Sequence, residues 1–159
     1  MAKRKLKIDP EFNFILIGIA TPLQDYRMAW FVNNTLHKQL AKTDDLVQID
    51  PVNRIQTGFA RFDYEEMLTM SMFHIIQNKQ GPNCLIPELK ELDYLLIIKG
   101  AYYLPRNQEI LKKIKDIEQI QVAVIIDPES LKSKNNLIFD NNSKKEIKAY
   151  SNTNYTNKK

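Results

Sequence analysis

Residues 95–98 of this 159-residue chain read Leu-Leu-Ile-Ile, and this run constrains the fold more than any other feature. Consecutive apolar side chains in a strand point alternately to its two sides, so the run needs a sheet that is covered on both faces. Residues 12–20 are also mostly apolar and predict a second buried strand. An amphipathic helical pattern follows each run, which predicts a sheet packed against helices.

The composition is that of a globular protein, with 43% hydrophobic and 26% charged residues. A chain of this length buries roughly 70% of its unfolded surface, so it needs no disulfide or metal to fold. Its single cysteine, Cys84, excludes an internal disulfide, and its two histidines leave little room for a zinc site. Four glycines argue against a glycine-rich phosphate loop. We predict neither a metal nor a cofactor.

Two amphipathic helices are predicted from their start signals and apolar spacing. Thr21-Pro22 has the residues of a helix N-terminus, with Thr21 as the cap, and the spacing extends this helix to about Leu40. Tyr26 and Trp30 flank its apolar stripe and are interpreted as core contacts, with an exposed binding aromatic at Trp30 as the alternative. Asn107 is predicted to cap the second helix, whose stripe is Ile110, Leu111, Ile114 and Ile117.

Strands are predicted between and after the helices. Residues 54–77 are expected to form an antiparallel hairpin with its turn at Glu65-Glu66, and a helix across 65–78 is the alternative. Residues 120–126 are another mostly apolar run. The segment 92–126 is therefore predicted to be a strand–helix–strand crossover with parallel strands.

The order of these elements predicts an α+β fold. We expect a two-layer sandwich in which a mixed sheet of about five or six strands carries two helices on one face, as a variant of the ferredoxin-like arrangement. Residues 10–140 form a single domain in this prediction. Residues 1–9 are a basic N-terminal segment, and residues 141–159 are an Asn- and Lys-rich tail that is predicted to be disordered.

The formal charge of +4 is concentrated at the two ends of the chain. Residues 1–7 carry +4 and residues 141–159 carry +4, whereas residues 8–140 have 14 basic against 18 acidic side chains. Basic ends can make loose phosphate contacts, so a nucleic acid is kept as an alternative partner. The folded part has no glycine–aromatic signature of an RNA-binding strand, and a protein is the preferred partner.

The N-terminal apolar run is not interpreted as a membrane or export segment. Its nine residues are too short to span a bilayer. Asp9, Glu11 and Asn13 interrupt the pattern of a secretion signal, and a helix start follows Ala20. The sequence therefore predicts a cytoplasmic protein without a membrane partner.

Catalytic chemistry has one candidate pair. Cys84 is a potential nucleophile and His74 a potential base ten residues earlier, but the sequence indicates no third residue that would orient them. We therefore predict that the protein is not an enzyme.

The segment Ile86-Pro87-Glu88-Leu89-Lys90-Glu91-Leu92-Asp93-Tyr94 matches the motif that names the IPExxxVDY family, with Leu92 in place of Val. The segments that are also similar to that family are residues 26–30, 75–79, 95–100, 126–128, 131–134 and 137–139. Its members are small bacterial proteins without an assigned function. The resemblance, which covers about residues 10–140, implies no catalytic residues.

The motif allows two interpretations. Pro87 favours an extended Ile86, and the carboxylates of Glu88 and Asp93 can accept backbone N–H groups that fix a loop at the entry to a strand. Alternatively, the loop is a partner-recognition surface composed of Ile86, Pro87, Glu88, Leu92, Asp93 and Tyr94. The predicted function is a non-catalytic protein-interaction or regulatory module. An RNA-associated accessory factor and a small-molecule sensor domain are the alternatives.

Overall fold

The structure, a computed structural model, describes residues 12–139. Ten strands and two α-helices follow one another within these residues. In chain order they are β1 (Phe14–Ala20), α1 (Asp25–Leu36), β2 (Ala41–Lys42), β3 (Leu46–Ile49), β4 (Gln56–Phe59), β5 (Arg61–Glu66), β6 (Ser71–Gln77), β7 (Lys79–Gln80), β8 (Asn83–Cys84), β9 (Tyr94–Lys99), α2 (Asn107–Lys115) and β10 (Val122–Ile125).

Six strands form the central sheet, in the order β10-β1-β9-β6-β5-β2, and every neighbouring pair is antiparallel. Strands β9 and β10, which α2 connects, run in the same direction with β1 between them. With the two helices, β1, β6, β9 and β10 have the ferredoxin-like order, and β5 and β2 extend the sheet. The predicted α+β sandwich is therefore confirmed. The predicted segments 1–9 and 141–159 lie outside the described residues.

Both faces of the sheet are covered. The helices cover one face, where their buried side chains Met28, Ala29, Val32, Leu36, Ile110 and Ile114 pack on the sheet. Irregular segments around residues 85–89 and 131–139 cover the other face, where Leu16, Leu95 and Ile97 are fully buried. Because successive residues of β9 point to opposite faces, both layers are needed to bury residues 95–98.

Helix α1 is shorter than the apolar spacing predicts. Thr21 does not cap it: the Thr21 hydroxyl donates to the carbonyl of Gln119 at 2.7 Å and accepts the Leu23 N–H at 3.3 Å. His37 ends the helix in the left-handed conformation, with φ of 59°. Leu40 is buried, but it lies beyond the helix end.

The side chain of Trp30 is 60% exposed and that of Tyr26 is 62% exposed. Their interpretation as core contacts is therefore wrong, because α1 turns them away from the sheet. Trp30 instead packs edge-on against the neighbouring Phe31 ring, with 5.0 Å between the ring centroids.

Of the hairpin predicted over 54–77, only residues 61–77 form an antiparallel hairpin, with β5 paired to β6, and they are not a helix. Strand β4 pairs with β3 instead. The turn lies at Met67–Met70 instead of Glu65-Glu66. Met70 adopts φ of 56°, and its N–H donates to the carbonyl of Met67 at 3.1 Å. Glu66 stays in the strand because Lys38 and Tyr103 bind its carboxylate.

Candidate functional site

The loop that carries the Ile-Pro-Glu motif is organised by Asn78, which is completely buried. The Asn78 amide donates to the carbonyls of Leu89 and Leu92, each at 2.9 Å, and its side-chain oxygen accepts the N–H of Ile86 at 2.9 Å. Its backbone N–H donates to Asp93 and its carbonyl accepts from Leu85, both at 2.8 Å. One side chain thus satisfies backbone groups from the beginning, middle and end of the loop.

Glu88 fastens this loop to the C-terminal segment. The Glu88 carboxylate accepts the backbone N–H and the hydroxyl of Ser133, both at 2.7 Å. Burial alone raises the pKa of Glu88, but these hydrogen bonds outweigh that effect and lower the pKa below its usual value. The exposed Glu88 carboxylate therefore joins two covering segments of the sheet.

Asp93 and Tyr94 connect the start of β9 to the segment between β1 and α1. Asp93 Oδ2 accepts the Thr21 N–H at 2.9 Å, while its Oδ1 lies 3.3 Å from Lys79 Nζ. The Tyr94 hydroxyl donates to the carbonyl of Leu23 at 2.7 Å. Burial and the carboxylates of Asp25 and Asp93 raise the pKa of Tyr94 to about 12.

The two aliphatic motif residues, Ile86 and Leu92, pack inward. Ile86 is completely buried, and Leu92 packs directly on the backbone of β1, since a Cβ atom at Gly18 would lie 2.3 Å from Leu92 Cδ1. Of the six motif residues named in the sequence, only Pro87 and Glu88 are exposed. This geometry supports the interpretation in which the motif fixes the loop, and the partner-recognition surface stays a prediction.

A second cluster of polar side chains lies on the face of the sheet that the motif loop covers, on strands β6 and β5. The Asp63 carboxylate lies 2.6 Å from His74 Nδ1, and Arg61 Nε donates to its two oxygens at 3.1 and 3.0 Å. Thr43 Oγ1 donates to Asp63 Oδ2 at 3.1 Å. Asp63 and His74 are direct partners in the β5–β6 ladder, so the hairpin register brings them together.

Phe139 covers this cluster. Its ring meets the His74 ring edge-on with 5.0 Å between centroids, and the Arg61 guanidinium and Lys99 ammonium each lie 4.5 Å from its centroid. Burial, together with the charge of Arg61, lowers the pKa of Lys99 to about 8. The Phe139 ring thus contacts two cationic side chains and the imidazole at the same time.

The Asp63–His74 pair fixes the tautomer of His74. Burial lowers the pKa of His74 below its ordinary value, so the ring is neutral at pH 7 and donates its Nδ1 proton to Asp63. Nε2 then carries a lone pair, and it is buried without a hydrogen-bond partner. A neutral imidazole that is oriented by a carboxylate is the usual form of a general base. In this structure, however, His74 is completely buried under Phe139, so no substrate reaches Nε2.

The structure does not bring the sequence candidates Cys84 and His74 within hydrogen-bond distance. Nδ1 of His74 contacts Asp63, Nε2 has no hydrogen-bond partner, and Cys84 is a free, partly exposed thiol on β8. Within residues 12–139, no group of three or more His, Cys, Asp or Glu side chains could hold a metal ion. No helix in the same residues has the length and apolar character needed to cross a membrane.

Comparison of the chain with protein-family models, with curated proteins and with solved structures finds no match. The resemblance to the IPExxxVDY family therefore stays a prediction.

Sequence reasoning missed Asn78 and Asp63 as central residues. A turn at Glu65-Glu66 would pair Asp63 with Leu68, whereas the observed turn pairs Asp63 with His74. The available signal was the position of Asp63 between the aromatic residues Phe62 and Tyr64, since a buried carboxylate needs a polar or charged partner.

Proposed function

We propose that the protein is a non-catalytic interaction module that binds an extended apolar segment of a partner protein along β10. The observation that carries this proposal is the character of β10 as an edge strand. β10 pairs with β1 on one side, and no strand within residues 12–139 pairs with its other side. Its sequence is Val-Ala-Val-Ile, without a charged residue, and Val122 and Val124 are 48% and 41% exposed.

The opposite edge of the sheet provides a contrast. β2 has only two residues, and its Lys42 lies 2.8 Å from Asp45 in an exposed ion pair. Short length and charge are the features that keep sheet edges from pairing with other chains, and β10 lacks the charge. An uncharged edge offers backbone N–H and C=O groups to an added strand, with alternate side chains of that strand beside Val122 and Val124.

The proposal includes a cytoplasmic location. The free, partly exposed thiol of Cys84 supports a reducing compartment, because unpaired thiols persist more readily there.

Affinity purification from the cells that express the protein tests the docking edge. Val124→Lys places a charge on β10, and Val52→Lys makes the same change at an exposed valine outside the sheet edge. We expect one defined protein to be recovered with the wild type and with Val52→Lys, and its recovery to fall at least about tenfold with Val124→Lys. A partner that is recovered equally with all three chains would contradict the proposal.

Two further measurements separate the alternatives. Glu88→Gln tests the motif loop, and a loss of the partner in this variant alone would favour that loop over β10. Sedimentation of the purified wild type tests whether a second copy occupies the edge. A dimer that Val124→Lys converts to a monomer would replace the partner protein by the chain itself and overturn the proposal.

A further inference from the structure

A cleft lies on the helix side of the sheet, between the end of α1 and the start of α2. Its volume is about 140 Å³. An apolar cavity of roughly 150 Å³ is large enough to bind benzene, so the cleft has room for one small ring or short chain. The lining residues are Leu36, Lys38, Phe73, Tyr103, Arg106, Glu109, Ile110 and Lys113. The cleft shares no residue with β10 or with the motif loop.

The floor of the cleft is apolar. Leu36 and Ile110 come from the two helices and Phe73 from β6, and all three side chains are buried. The Tyr103 ring lies edge-on to Phe73 with 5.2 Å between centroids, so two aromatic rings form one wall. Such a floor accepts the aromatic ring or short aliphatic chain of a ligand.

The rim of the cleft carries ordered cations. Lys38 Nζ lies 2.5 Å from Glu66 Oε2 and donates to the Tyr103 hydroxyl at 3.0 Å, so its position is fixed and its charge is balanced by Glu66. The Arg106 guanidinium lies 3.9 Å from the centroid of the Tyr102 ring and donates to the Tyr102 carbonyl.

Lys113 and Glu109, which lie one turn apart on α2, complete the rim. Glu109 Oε2 is 3.7 Å from Lys113 Nζ, so the pair is balanced in charge. With Lys38 balanced by Glu66 and Lys113 by Glu109, the charge of Arg106 leaves the cleft with a surplus of one positive charge.

We propose that this cleft binds a small monocarboxylate with an aromatic or short aliphatic body. The body occupies the floor between Leu36, Phe73 and Ile110, and the carboxylate lies at the rim next to Arg106. One surplus positive charge matches one negative charge on the ligand, and a planar guanidinium is suited to a carboxylate. The proposal is independent of the docking edge on β10.

Phenylacetate and hexanoate are suitable probes, and phenylacetamide is the neutral control for phenylacetate. Titration of the full chain, followed by calorimetry or by amide chemical shifts, should give saturable binding of phenylacetate with shifts at Ile110 and Phe73. Phenylacetate should bind at least about tenfold more tightly than phenylacetamide, because only the anion forms charge-assisted hydrogen bonds. Equal affinity for the two, or no saturable binding of either phenylacetate or hexanoate, overturns the proposal.

Arg106→Gln and Lys112→Gln distinguish a local contact from the general charge of the protein. Lys112 lies on the same helix, its side chain is 79% exposed, and it does not line the cleft. Arg106→Gln should weaken phenylacetate binding at least about tenfold, and Lys112→Gln by less than about twofold. Lys113→Gln is the second rim variant and should also weaken binding. Equal losses in Lys112→Gln and in both rim variants would overturn the proposal.

Discussion

At the scale of single residues, Asn78 and His74 are both completely buried but differ in how far their polar atoms are hydrogen-bonded. Asn78 is buried with both amide protons, its side-chain oxygen and both backbone groups in hydrogen bonds. His74 is equally buried, but one of its ring nitrogens has no hydrogen-bond partner. The first arrangement stabilises one loop conformation, whereas the second makes the stability of the fold depend on pH.

We expect Asn78→Ala to lower the free energy of unfolding by about 2–4 kcal/mol. The change removes three side-chain hydrogen bonds and leaves backbone groups of Ile86, Leu89 and Leu92 without partners in a buried loop. Urea denaturation followed by circular dichroism measures this difference. Asn83→Ala is the matched control, because Asn83 is exposed and should change stability by less than about 0.5 kcal/mol. Equal effects of the two changes would rule out the organising role of Asn78.

Acid should destabilise the fold through His74. Because burial lowers the pKa of His74 below its ordinary value of 6.5, the unfolded chain binds a proton more readily than the folded chain once the pH falls below about 6.5. The free energy of unfolding should therefore decrease as the pH falls from 6.5 to 5, by at most about 1.4 kcal/mol per pH unit. The Asp63 pKa is also lowered, because its contacts with His74 and Arg61 outweigh burial, and it adds a further loss below about pH 3.8.

His74→Gln separates the contribution of His74 from that of other groups. Glutamine does not titrate and is able to donate a hydrogen bond to Asp63. Denaturation at several pH values between 7 and 5 should give a smaller slope for the variant than for the wild type. The same slope in both proteins would show that His74 does not control the acid response.

At the scale of elements, the backbone at the end of β9 packs closely against the β5–β6 turn. Gly100 follows β9 with φ of +123°, and a Cβ atom there would lie 2.7 Å from Ser71 Oγ and 2.9 Å from the Met70 carbonyl. Met70 itself is in the left-handed conformation that closes the turn. The close approach of these two backbones therefore needs glycine at position 100.

Gly100→Ala should destabilise the protein by about 3 kcal/mol, because it adds both backbone strain and steric overlap. Gly81→Ala is the matched control: Gly81 also has a positive φ, of 59°, but a Cβ atom there meets no atom within 4 Å. Its cost should be about 1 kcal/mol. Thermal unfolding of both variants measures the difference, and a Gly100→Ala variant as stable as Gly81→Ala would show that Met70 and Ser71 relax without cost.

The sequence predicted elements where local patterns determine them and failed where long-range contacts do. Strands β1 and β9 follow from the apolar runs at 12–20 and 95–98, and α2 follows from its stripe of isoleucines. The end of α1 at His37 and the turn at Met70 were missed, because both residues adopt the left-handed conformation that glycine or asparagine usually signals.

At the scale of the whole molecule, the sequence indicated that residues 95–98 need cover on both faces, but it did not identify the second cover. The helices were predictable from their periodicity. The opposite layer consists of irregular segments around residues 85–89 and 131–139, which lack any period and are fixed by Asn78, Glu88 and the apolar contacts of Leu137. The Asp63–His74 contact and the cleft also depend on register and packing, which local patterns do not specify.

The position of β1 between β9 and β10 determines when the chain can fold. Ile19 pairs with Tyr94 and Phe14 with Lys99, so these contacts join residues that are 75 to 85 positions apart. Within the described residues, the only other strand partner of β1 is β10, which lies still later in the chain. During synthesis β1 therefore has no strand partner until residue 99 has left the ribosome, and only α1 is available earlier to cover one of its faces. Contacts between residues so far apart in the chain form slowly, so the pairing of β1 with β9 should be a late step in folding.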